Sequence, residues 1–143
     1  MMSYKTLLDR GIIKRFTATS AQVESQMRLA KRDLETAAKI LDKDSDWAFS
    51  IAYNAILQVT RGLLYAEGYR LSGGEGHHKA AIEFAEITLG NDFRDEIRFF
   101  DRMRIKRNQA VYDMPGIVSQ DEARQAIEFA RRFVETISRR LFS

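Results

Sequence analysis

Arg102, Arg104, Lys106 and Arg107 put four basic residues into six consecutive positions with no acid between them, and Asn108 and Tyr112 follow. Side chains of these types suit an anion. A guanidinium presents a rigid fork of N–H donors that matches phosphate, and an amide or phenol adds further donors. Their spacing is unusual. At ~100° per helical residue, Phe93, Ile97, Phe100 and Val111 fall within about 60° of one another and form an apolar stripe. Arg104 lands in the middle of that stripe, with Arg107 and Asn108 on its two edges. Burying an unpaired charge is costly. These groups are therefore paired with carboxylates, or line a wet cleft, or sit at a subunit contact that takes an anion.

The element that must carry them is a helix from about Phe93 to Tyr112. A second helix shows a related anomaly. Trp47, Ile51, Asn54, Gln58, Arg61, Tyr65 and Tyr69 share one stripe, polar in the middle and aromatic at its flanks. Phe49, Ala52, Ile56, Val59 and Leu63 make the opposite side conventionally apolar. Such a helix suits a core on one side and a cleft on the other, with Asn54 and Arg61 supporting the basic segment. An ordinary amphipathic helix with a partly solvated polar face is the alternative.

The remaining elements read as helices too. Tyr4–Arg10 is a short leading helix closed by Gly11. Thr19 or Ser20 opens the next, with Ser20 a fair N-cap, and it runs to Leu41. Asp44 or Ser45 caps the polar-aromatic helix, which reaches Glu67 and ends at Gly68. Residues 71–76 read as a flexible loop. A helix over His77–Leu89 stops at Gly90, and the basic helix follows. Asp113–Gly116 is a turn around Pro115, the only proline. Ser119 and Glu122 resemble a capping box that opens the last helix. No period-2 strand pattern is present. The expectation is all-α: an up-and-down bundle of four to five main helices with a short N-terminal helix, one domain over residues 1–143.

Composition narrows the chemistry. Cysteine is absent, which removes disulfides, thiolate catalysis and cysteine metal sites. The only histidines are His77 and His78. On a helix they point about 100° apart, which disfavours a two-histidine metal site. No cofactor or metal is expected. Hydrophobic residues make up 45% of the 143 and charged residues 30%. No apolar run approaches a membrane span and no signal-peptide pattern opens the chain, so a cytoplasmic protein is expected. Up to Asp92 the chain carries twelve basic and twelve acidic residues, and from Phe93 onward eleven and eight. The whole net charge of +3 thus comes from the last third or so of the chain, which contains the basic segment.

The residues also carry a resemblance. The stretch from Ala52 to Tyr69, with Tyr53, Asn54, Arg61, Gly62, Leu63, Leu64 and Gly68 in order, is similar to the "YxA…(A/R)(A/G)LL…G" helix of the HEPN superfamily (higher eukaryotes and prokaryotes nucleotide-binding domain). His77 and Lys79 follow a short polar loop, as they commonly do there. Arg107-Asn108-Gln109-Ala110-Val111-Tyr112 aligns with the signature of that family: an Arg, usually a polar residue next, and a His about five positions after the Arg. The resemblance spans roughly residues 20–140.

It implies a homodimer whose paired motifs meet at the interface, and in many members metal-independent ribonuclease chemistry. There the RNA 2′-hydroxyl attacks the adjacent phosphate, Arg stabilises the developing charge and His acts as acid or base. Arg107 and Asn108 match by position, but Tyr112 stands where that histidine would be. A phenol with a pKa near 10 is a poor base at neutral pH, although it can donate to phosphate and stack on a nucleobase. A Tyr-Asp ending resembles a variant often encoded beside a small nucleotidyltransferase in toxin–antitoxin pairs.

Three readings follow. The first is an RNA- or nucleotide-binding protein of a toxin–antitoxin or defence module, with a nucleotidyltransferase partner. Its candidate motif residues are Arg107, Asn108 and Tyr112, and its binding residues Arg104, Lys106, Arg61, Asn54 and His77. The second is a ribonuclease of reduced activity, unless His77 or His78 approaches the motif. The third is a structural bundle. In it the basic segment pairs with Asp95, Glu96 and Asp101 or with a partner's acidic surface, and a strip of Phe99, Met103 and Ala110 docks a second subunit.

Overall fold

The computed structural model describes residues 2–73 and 76–142; of the expected loop over 71–76, Gly74 and Glu75 lie outside the described residues. The fold is an all-α bundle with one small ribbon. Its helices are α1 (Tyr4–Asp9), α2 (Ser20–Ile40), α3 (Ser45–Ala66), α4 (His77–Leu89), α5 (Arg94–Asn108) and α6 (Gln120–Phe142).

The helix starts follow local chemistry. Thr19, rather than Ser20, caps α2 in a full capping box with Gln22: its hydroxyl takes the Gln22 N–H at 3.1 Å and the Gln22 side chain takes the Thr19 N–H at 2.9 Å. Asp44 caps α3 through the Trp47 N–H at 2.9 Å. Ser119 and Glu122 form a second reciprocal box, at 3.0 and 3.2 Å, before α6. Each cap satisfies backbone donors that have no intrahelical partner, an effect worth roughly 1 kcal/mol.

Helix α3 is the central post. Its buried residues run from Ala48 to Leu64 on nearly every side, the pattern of a helix enclosed by neighbours. Helices α2, α4, α5 and α6 all pack on it. The approach of α2 is close at Gly62, where an added Cβ would run into Met27 Cε. The polar stripe of α3 therefore does not face a cleft as expected. Much of it faces α2, where Asp33 supplies the counter-charge: its Oδ2 accepts from Asn54 Nδ2 at 3.0 Å and from Gln58 Nε2 at 2.7 Å.

Three further expectations are revised. The residues Ile13–Arg15 (β1) and Tyr69–Leu71 (β2) pair antiparallel, Ile13 opposite Leu71 and Arg15 opposite Tyr69, although no strand was expected. Strands of three residues are too short to show a period. The strip of Phe99, Met103 and Ala110 does not lie free for a second subunit. Met103 and Ala110 are buried, and the Phe99 ring lies 4.4 Å from that of Phe129 on α6. The basic helix does not stay α-helical to Tyr112. Residues Gln109–Asp113 form a π turn, closed where the Met114 N–H reaches the Gln109 carbonyl at 2.7 Å. The i→i+5 bond admits an extra residue into the turn and changes the phase of the stripe. Ala110 is buried while Val111, expected on the apolar stripe, is 42% exposed.

Candidate nucleic-acid interface

The π turn fixes where the motif ends. It carries Tyr112 out to 73% exposure, beside the guanidinium of Arg107, whose Cζ lies 6.0 Å from the phenol centroid. Arg107 Nη1 donates to Asn108 Oδ1 at 3.3 Å. Among the described residues no carboxylate comes within ion-pair reach of Arg107. One turn earlier, the half-buried Arg104 donates from Nε to Asp101 Oδ1 at 3.0 Å. The pairing expected of the structural reading thus holds for Arg104 and not for Arg107.

The start of α4 faces these groups. Gly76 precedes it in a left-handed conformation (φ 77°) and, as a glycine, adds no side-chain cap of its own. The N-terminal end of a helix is electropositive and its free N–H groups suit an anion. Together the α4 start and the α5 end enclose an open cleft of about 680 Å³. His77, His78 and Lys79 line one side of it, and Arg104, Arg107, Asn108 and Tyr112 the other, with Asp113 as the one acid among the described residues.

Beneath the cleft, Tyr53 of α3 is 1% exposed and its Oη lies 3.2 Å from His78 Nδ1. Burial pushes the Tyr53 phenol well above its ordinary value, against the opposing pull of Arg104 and Arg107. Burial, then the neighbouring His77 and the charges of Arg107, Arg61 and Arg104, lower His78 to about 4. His78 is therefore neutral at physiological pH. The His77 and His78 rings meet edge to face at 4.3 Å.

Arg104, Arg107, Asn108, Tyr112 and His77 of the sequence-derived set thus share one cleft. Arg61 lies close enough for its charge to act on both Tyr53 and His78. Lys106 and Asn54 do not join them. Lys106 Nζ pairs with Glu122 of α6 at 3.2 Å, and Asn54 is tied to Asp33. Helix periodicity alone does not say which exposed-side residue finds a carboxylate on a neighbour. His78 belongs to the cleft although sequence reasoning favoured His77; its signal was adjacency at a helix start. Tyr53 was visible only as a motif position. No group of three or more His, Asp or Glu that could hold a metal occurs among the described residues. No helix among them is long and apolar enough to cross a membrane.

A family model described as the HEPN domain matches residues 23–141. No curated protein matches the chain.

Proposed function

We propose that this chain, which belongs to the HEPN domain family, binds RNA or a nucleotide through phosphate held in the cleft between α4 and the π turn. The observation that carries the reading is Arg107: a cation with no carboxylate partner among the described residues, lining a cleft with Arg104, Lys79 and the start of α4. A phosphate satisfies all of these at once. In this reading the exposed ring of Tyr112 offers a base a stacking surface, a contact worth about 1–3 kcal/mol per base. Arg61 adds charge from beneath.

The wider setting belongs to the same proposal: a cytoplasmic homodimer in a toxin–antitoxin or defence module, paired with a small nucleotidyltransferase. The exposed Val111, Tyr112 and Met114 on and after the π turn are compatible with a partner there.

Fluorescence anisotropy with a labelled single-stranded oligoribonucleotide, run across a salt series, tests the binding. A charge-assisted bond to phosphate is worth roughly 1.5–3 kcal/mol, so Arg107→Ala weakens binding about tenfold or more and lowers the salt slope by about 0.7. Equal affinity and slope in the variant would falsify the reading.

A second reading, a ribonuclease of reduced activity, is favoured by one observation: two imidazoles line the cleft in which the motif helix offers Tyr112 instead of histidine. Incubation with RNA in the presence of EDTA separates the two. Cleavage that survives chelation and is lost in both Arg107→Ala and Tyr112→Phe supports the enzyme; intact RNA supports binding alone.

A further inference from the structure

His78 lines the cleft, yet one of its ring nitrogens is already committed. Nδ1 lies 3.2 Å from Tyr53 Oη, on the side of the core. Tyr53 is 1% exposed, and among the described residues its hydroxyl has no other hydrogen-bond partner. A buried O–H without an acceptor costs about 1–3 kcal/mol. If Nδ1 carried the hydrogen, the phenolic hydrogen would have nowhere to go. If Tyr53 donates, both groups are satisfied. A neutral imidazole has a single N–H, so accepting at Nδ1 puts it on Nε2.

We propose that Tyr53 is a positioning residue for His78: by donating its hydroxyl hydrogen to Nδ1 it holds the ring in the Nε2–H form, so that His78 meets a bound phosphate as a neutral hydrogen-bond donor and not as an acid or base. The part concerning Tyr53 stands on the apo geometry; the part concerning phosphate rests on the binding reading above.

The charges around the ring act in the same direction. Arg61 comes from the α3 side, Arg104 and Arg107 from the α5 side, and His77 from α4 itself. Asp101, a carboxylate acting on Tyr53, is engaged by Arg104. Burial of the ring first, then His77 and the three guanidiniums, disfavour an imidazolium, in agreement with the lowering of His78 to about 4. Phosphate oxygens need donors, and a neutral Nε2–H supplies one without adding a charge that must be neutralised. Binding mediated by His78 is then insensitive to pH between about 5 and 8, where an ordinary histidine titrates.

Long-range 15N–1H correlations of the imidazole rings in the ligand-free protein test the pairing. The expected result is a His78 Nε2–H tautomer at neutral pH with no titration above about pH 5. Tyr53→Phe should let the ring sample both tautomers and raise its midpoint by roughly one pH unit. An Nδ1–H tautomer in the wild type, or a titration near that of free histidine, overturns the proposal. So does an unchanged ring in a folded Tyr53→Phe variant. If that variant does not fold, the wild-type tautomer still decides.

Anisotropy with a labelled oligouridylate tests the donor role. His78→Ala should weaken binding about tenfold, and His78→Gln, which keeps an N–H near the Nε2 position, should recover most of that loss. Equal losses in both variants overturn the donor role. A wild-type protein that shows the Nε2–H tautomer but binds no oligouridylate refutes the phosphate reading and leaves the Tyr53 pairing standing.

Discussion

Arg107 and Arg104 stand one turn apart on the same helix and differ in their surroundings. Arg104 has Asp101 at 3.0 Å, while Arg107 has an amide and an aromatic ring. That difference makes Arg107 the residue available to a ligand and Arg104 one already partly neutralised. Arg104→Ala should therefore weaken oligoribonucleotide binding less than Arg107→Ala does in the same anisotropy series.

His78 gives a pH signature. The unfolded chain takes up its proton near 6.5 and the folded one near 4. Between these values the unfolded state binds more protons, so stability rises with pH across the window and is lost as the solution is acidified. Urea melts at pH 4.5 and 7 should show this loss in the wild type and a smaller one in His78→Gln. At this scale the sequence exposed Arg107, Asn108 and Tyr112 through residue type and spacing alone. It could not expose the Tyr53–His78 bond, because residues 25 positions apart meet only through the packing of α4 on α3.

Two carboxylates outside the cleft tie elements of the bundle together. Asp33 on α2 is buried and takes hydrogen bonds from Asn54 and Gln58, which pins α2 against α3. Asp33→Ala leaves those amides without their acceptor and should cost roughly 1–3 kcal/mol in denaturant unfolding. Asp46 accepts from the Gly116 N–H, and from the Val118 N–H at 3.1 Å, which fastens the chain after the π turn to the start of α3. Asp46→Ala should cost about 1–2 kcal/mol and also weaken oligoribonucleotide binding, because the released segment begins just after Tyr112 and Asp113.

Helix starts were legible because capping is local: Asp44, Thr19 with Gln22, and Ser119 with Glu122 act within four residues. The π turn was not, since its wide hydrogen bond makes sense only with Ala110 packed inward. The polar stripe of α3 was misread for a similar reason. Asn54 and Gln58 look like a cleft lining until Asp33 is placed opposite them by the α2–α3 packing.

At the scale of the whole molecule, the all-α bundle was foreseeable from helix propensity and apolar periodicity over most of the chain. The small ribbon of β1 and β2 was not. The cleft belongs to no single element: it forms where the α4 start, the α5 end and the π turn converge above the buried Tyr53. A homodimer built on this bundle should sediment at about twice 16.5 kDa. A concentration-independent monomer would contradict that part of the proposal while leaving the cleft intact.

The central claim is that an RNA or nucleotide phosphate sits in this cleft. Titrating isotope-labelled protein with an oligoribonucleotide and following amide and arginine side-chain shifts tests it directly. The account predicts saturable shifts confined to Gly76–Lys79 and Arg104–Asp113, including the Arg107 guanidinium. Shifts that map instead to the α2–α6 groove around Lys31 and Arg131, or no saturable shifts at all, would contradict it.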